Sequence, residues 1–236
     1  MSKQLVILPG WGGSQETWHA FCTLAKEKIP SVTVIDLPCF GNEPCPNTPW
    51  GIAEYAQFVR NALPKESDDV ALMGHSFGGQ IAAYIAMHEP QACTKLILSG
   101  AAIYRPKKTL KRALFALLAK VGGAFFSLPV VRRFQGRARQ LLYRAADSPD
   151  FLDTTSTVQK DTFKKVIRED ISGELSKITI PTLLVWGTKD QYTPLRFGKK
   201  IAQHIPNAVI KIIPGGTHGL HISKKEELLS HILSFI

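Results

Sequence analysis

The chain has 236 residues, enough for one large domain or for a domain carrying a sizeable insertion. With 44% hydrophobic and 20% charged residues, its composition excludes a disordered, collagen-like or coiled-coil protein. Lys and Arg outnumber Asp and Glu by 29 to 19, a formal charge of +10, which favours an acidic partner without naming one.

Residues 5–8 form an apolar run closed by Pro9-Gly10. The run is too short for the hydrophobic core of a signal peptide and reads as a buried strand. Further strands are expected at 32–36, 70–73, 95–99, 180–186 and 208–213. Between and after them, residues 14–28, 51–63, 77–88, 195–204 and 224–236 carry apolar side chains at three- and four-residue spacing, which predicts helices. Strands without polar alternation, each followed by a helix, indicate a parallel sheet covered on both faces. The fold class is therefore α/β, with a mostly parallel, doubly wound sheet of about six strands. Four cysteines (Cys22, Cys39, Cys45, Cys93) are too few and too scattered for a disulfide framework or a metal site, so reduced thiols and a cytoplasmic location are expected.

The pattern is interrupted after the fourth strand. Residues 101–176 hold fifteen basic and seven acidic residues, and the first eleven basic ones, up to Ala146, come with no acid at all. The rest of the chain, 1–100 and 177–236, holds fourteen basic and twelve acidic residues, so nearly all the excess charge belongs to the insertion.

The sharpest local signal is Gly74-His75-Ser76-Phe77-Gly78, set between the strand at 70–73 and the helix at 77–88. A Gly-x-Ser-x-Gly in strand–turn–helix context forces a tight turn with the serine at its apex, and Gly74 and Gly78 are needed where a β-carbon would clash. Such a serine is presented at the carboxyl edge of a parallel sheet, where open α/β proteins place their sites. A hydroxyl needs a base to become a nucleophile, and the base needs a group to orient it. Asp190 follows the fifth strand and His218 the sixth, which gives the order Ser, Asp, His expected on an α/β sheet. His221 is an alternative base. His218-x-x-His221 without a nearby carboxylate or cysteine partner makes a poor metal site, so no metal is expected.

Acyl transfer also needs donors for the developing oxyanion. The backbone N–H of Phe77 is one, and the loop Pro9-Gly10-Trp11-Gly12-Gly13-Ser14 supplies the other through Trp11, whose ring would also wall the pocket. The rival dinucleotide reading of Gly10 and Gly12, with Asp36 as the ribose acid, lacks its third glycine, which would fall at Gln15. Asp36-Leu37-Pro38-Cys39-Phe40-Gly41 reads instead as a strand-to-loop turn bordering the pocket.

Together these stretches, with Trp186-Gly-Thr-Lys-Asp190, Thr193-Pro194 and Gly215-Gly-Thr-His218, resemble the α/β-hydrolase superfamily, and within it the small lidded serine hydrolases. The resemblance spans residues 5–220. It implies Ser76 as nucleophile, His218 as base, Asp190 as its orienter, and the Trp11 and Phe77 amides as oxyanion donors, with no cofactor. It also implies that 101–176 is a helical lid inserted in a core of 1–100 and 177–236. Two departures stand out: Pro9 replaces a usual histidine, and Cys39 occupies a position where glycine is common. A serine at the elbow argues against the dehalogenases and epoxide hydrolases of similar fold, which place an aspartate there.

The expected activity is hydrolysis of a small-molecule carboxylic ester through an acyl-enzyme. Alternatives using the same residues are a thioesterase, a C–C bond hydrolase, or an esterase acting on an acyl group borne by an acidic carrier protein, for which the basic lid is the motive. A non-enzymatic alternative is a module that docks its basic lid on a membrane surface or another anionic partner. Within the lid, 107–121 interleaves leucines with cations. Residues 113–131 approach a membrane span but are broken by Gly122-Gly123 and Pro129. No nucleic-acid motif is recognisable, so a specific nucleic-acid partner is not expected.

Overall fold

The computed structural model describes residues 3–64, 69–104 and 156–236. Six strands, β1 (Gln4–Leu8), β2 (Ser31–Val34), β3 (Val70–His75), β4 (Lys95–Ser99), β5 (Thr182–Gly187) and β6 (Ala208–Ile213), form one sheet in the order β2-β1-β3-β4-β5-β6. Every pairing is parallel. The helices are α1 (Gln15–Lys26), α2 (Ile52–Ala62), α3 (Phe77–His88), α4 (Thr157–Val166), α5 (Leu195–His204), α6 (Leu220–Ser223) and α7 (Lys225–Leu233). The helix expected at 224–236 is α7, and the short turn α6 lies just ahead of it.

Why the strands lack polar alternation is visible in their neighbours. Val6, Leu8, Leu72, Leu96, Leu98, Leu184 and Trp186 point to one layer, with α2, α3 and α5. Leu5, Ile7, Met73, Ile97, Leu183 and Val185 point to the other, with Trp18 and Phe21 of α1 and Leu228 and Ile232 of α7. Successive side chains face opposite sides of a sheet, so a strand covered twice must be apolar throughout. The two edge strands are the exceptions, with Thr33 exposed on β2 and Val209 and Ile212 exposed on β6.

The order reverses between β1 and β3, so the loops leaving these two strands diverge and open a crevice at the carboxyl edge. The described ends of the insertion are fixed to the core. Ala101, Ala102 and Ile103 are buried, and Val166, Ile171 and Leu175 join the same apolar cluster as α3. The basic helix expected at 107–121 and the apolar stretch 113–131 lie outside the described residues. Among the described residues, no helix is long and apolar enough to cross a membrane.

One expectation about the cysteines is overturned. Cys39 and Cys45 form a disulfide across a sequence separation of 6, while Cys22 and Cys93 are free thiols. The physical reason is local: Cys39 takes a left-handed backbone, φ 77°, which turns the loop back on itself and brings the two Cα atoms within 4.1 Å.

Candidate active site

The turn from β3 into α3 places Ser76 at φ 51° and ψ −113°, a strained backbone for a non-glycine residue. Its neighbours over-determine it. Ser76 N–H donates to Ser99 O (3.1 Å), Ala102 N–H donates to Ser76 O (2.9 Å), and Gly78 N–H donates to Pro9 O (3.1 Å). A β-carbon on Gly78 would run into the carbonyls of Leu8 and Pro9, and one on Gly74 into the backbone of Gly78 and Gly79. Both glycines are therefore required by backbone that cannot retreat.

The loops after β5 and β6 are laced together by Lys189 N–H to Gly216 O (2.8 Å) and Gly215 N–H to the Thr188 hydroxyl (2.8 Å). This brings Asp190 and His218 into contact, His218 Nδ1 lying 2.8 Å from Asp190 Oδ2. The Asp190 side chain is only 1% exposed. Its Oδ1 accepts from Tyr192 N–H (2.9 Å) and Thr193 N–H (2.8 Å), while Oδ2 accepts from the Thr193 hydroxyl (2.9 Å). A carboxylate so held is an acceptor only, which puts the proton of His218 on Nδ1 and leaves Nε2 with a lone pair.

The serine arm and the histidine arm meet at Gly100 and His75. The site of a β-carbon on Gly100 lies 3.1 Å from His218 Nδ1 and 3.2 Å from Asp190 Oδ2. Gly100 follows Ser99, whose carbonyl holds both Ser76 N–H and, at 2.9 Å, His75 Nδ1. The His75 ring lies 4.7 Å from that of His218, which stacks at 5.0 Å on Tyr192. Ser76 Oγ makes no hydrogen bond to His218 among the described residues. Such contacts commonly close only when substrate is bound.

The backbone N–H groups of Trp11 and Phe77, the expected oxyanion donors, have no hydrogen-bond partner among the described residues, as an anion site requires. The Trp11 ring packs edge-on against Phe40 (4.9 Å), Phe77 (5.5 Å) and Phe163 (4.8 Å). Phe163, on α4, carries the returning leg of the insertion over this loop. Alongside it, Gln159 Nε2 donates to Cys39 O (3.2 Å) and Glu169 Oε2 accepts from Ile52 N–H (2.8 Å).

His221, the alternative base, is buried face to face on Trp18 with centroids 4.0 Å apart, and its Nδ1 has no partner among the described residues. Burial, and then the charge of His218, push it down to about 4. Burial likewise holds His75 well below the usual imidazole range, followed by the charges of His218 and His221. Asp36 is also spoken for, since Oδ1 accepts from Gln15 N–H at the start of α1 (2.7 Å) and Oδ2 from Asn42 N–H (3.3 Å). A ribose acid has no room in that arrangement.

Residues 3–225 match the family model described as alpha/beta hydrolase fold. The chain belongs to the α/β-hydrolase family. It is 28% identical over 247 residues to a pimeloyl-[acyl-carrier protein] methyl ester esterase of Neisseria meningitidis serogroup C, covering 99% of this chain and 93% of the relative. It is also 28% identical over 252 residues to the hydrolase YugF of Bacillus subtilis, covering 99% and 90%. Among solved structures, the enol-lactonase of Burkholderia xenovorans LB400 superposes with a TM-score of 0.74 over 100% of this chain and 91% of that one, at 18% identity. This last likeness concerns the α/β-hydrolase fold alone.

Proposed function

We propose that this α/β hydrolase is a serine carboxylic-ester hydrolase working through an acyl-enzyme. Ser76 Oγ attacks the ester carbonyl while His218 Nε2 takes its proton, and the Trp11 and Phe77 N–H groups receive the oxyanion. His218 then returns that proton to the departing alcohol oxygen, and water, activated by the same nitrogen, releases the acid and frees Ser76. Asp190 holds the imidazole in the tautomer this requires and stabilises its charged form. The observation that carries the assignment is the 2.8 Å contact between His218 Nδ1 and the four-fold hydrogen-bonded Asp190, beside a serine held on a strained elbow.

The test is turnover of p-nitrophenyl esters by Ser76→Ala, His218→Ala and His221→Ala. The first two should lose activity to near background, and His221→Ala should retain far more than His218→Ala. Full activity in Ser76→Ala, or the opposite order of the histidines, refutes the assignment.

A second reading concerns the substrate. The relatives from Neisseria are named for esters carried on acyl carrier protein, and the insertion of this chain has eight more basic than acidic residues. An acyl group borne by an acidic carrier fits that excess. Its turnover should fall steeply with salt, whereas a small neutral ester should be indifferent. Equal salt dependence of the two would remove the carrier reading. A panel of esters and thioesters separates it from a thioesterase or a C–C bond hydrolase, and vesicle flotation at fixed salt tests the membrane alternative.

A further inference from the structure

Thr193 stands three residues after Asp190, where a threonine could serve merely to close the turn. Its N–H does so, donating to Asp190 Oδ1 at 2.8 Å. The hydroxyl is not needed for that turn and reaches beyond it. Thr193 Oγ1 lies 2.9 Å from Asp190 Oδ2, 3.0 Å from Gly100 O and 3.3 Å from His218 Nδ1, in a side chain belonging to a residue only 4% exposed. One buried oxygen thus touches the loops after β4, β5 and β6.

A hydroxyl has one proton and two lone pairs, and both Gly100 O and the carboxylate only accept. The proton is therefore shared between the Gly100 carbonyl after β4 and the Asp190 carboxylate after β5, and a lone pair is left facing the Nδ1–H of His218. The groups around the His218 ring are Asp190 and Tyr192 from the loop after β5, His75 from the end of β3, and His221 behind it on α6. Both of these histidines are held neutral by burial. Asp190 is the ionised group in hydrogen-bond contact with the ring, so whatever tunes Asp190 tunes the base.

We propose that Thr193 is a positioning residue for this reaction: its hydroxyl fixes the Asp190 oxygen that faces His218 and moderates that oxygen's negative charge, tying the acid to the loop after β4, which in turn holds the elbow through Ser99 O. This rests on the serine-hydrolase reading of the site. Without the hydroxyl, Oδ2 keeps one donor in place of two, holds imidazolium more tightly, and is less firmly aimed. The shorter contact to Oδ2 outweighs the longer one to Nδ1, which sets the sign.

The experiment compares wild type, Thr193→Val and Thr193→Ser through the pH profiles of kcat and kcat/KM on p-nitrophenyl butyrate, with fluorophosphonate labelling of Ser76 in each. Valine keeps the shape and deletes the donor. It should lower kcat about tenfold, as loss of a hydrogen bond to a charged group does, with KM little changed. The acid limb of kcat/KM should move to higher pH, and serine should restore both. Should the valine chain fail to fold, Thr193→Ala must move the limb in the same direction. A valine or alanine variant that is less active but has its acid limb in the wild-type position, or a serine variant no better than valine, overturns the inference while labelling of Ser76 leaves the serine-hydrolase reading standing. Wild type that hydrolyses the ester without labelling at Ser76 overturns both.

Discussion

Replacing Gly100 by alanine tests whether the His218–Asp190 contact is the working part of the site. Gly100 has φ 54°, where a side chain costs about 1–2 kcal/mol. The added carbon would sit 3.1 Å from His218 Nδ1, 3.2 Å from His218 Cε1 and 3.2 Å from Asp190 Oδ2, inside the roughly 3.5–4.0 Å of ordinary contact. The pair must give way by a few tenths of an ångström, adding an overpacking cost of about 1 kcal/mol. A total near 2–3 kcal/mol corresponds, for a chain of this size, to a drop in Tm of about 4–12 °C by calorimetry. A displacement of about 1 Å at a reacting group costs on the order of a hundredfold, so a third of that distance should lower kcat about fivefold. Because the atoms nearest an added carbon belong to His218 and Asp190, KM should change little. An alanine variant that loses stability but keeps wild-type kcat would mean that the spacing of His218 and Asp190 does not limit the reaction.

His221 and the disulfide each give a further outcome. His221 titrates near 4 in the fold against an ordinary 6.5, so the unfolded chain binds the extra proton between these values. The stability this neutral, buried ring contributes is present above pH 6.5 and is lost as pH falls toward 4. His221→Phe, which keeps a ring against Trp18, should flatten the fall in urea midpoint over that window; an unchanged slope would show that His221 does not titrate there on unfolding. Replacing Cys39 and Cys45 together by serine opens a loop closed across a sequence separation of 6 and should lower the unfolding free energy by about 2 kcal/mol, read from urea titration without reductant. No loss on mutation would contradict the disulfide.

The elbow was legible because each of its glycines answers a backbone collision, and collisions of this kind leave a fixed spacing in sequence. Asp190 and His218 carry a signal in their order after β5 and β6, which favours His218 as the base over His221. Sequence does not show what distinguishes the two in space: His218 meets Asp190, and His221 lies against Trp18. Gly100 carries no pattern of its own, and Thr193 enters only as part of a resembling stretch, since the contacts that give both their importance come from loops far apart in the chain. Phe163 seats on Trp11 across 152 positions, a contact that periodicity within the insertion does not encode. The cysteine expectation failed because a left-handed turn at Cys39 is decided by the whole loop and not by the residue.

The central claim is that Ser76 is acylated, and intact-protein mass measurement after reaction with a fluorophosphonate tests it most directly. One adduct per chain is expected, mapping to the peptide that contains Ser76 and absent in Ser76→Ala, with loss of ester turnover in proportion to labelling. An adduct on another residue, or ester hydrolysis that survives complete labelling of Ser76, would contradict the account.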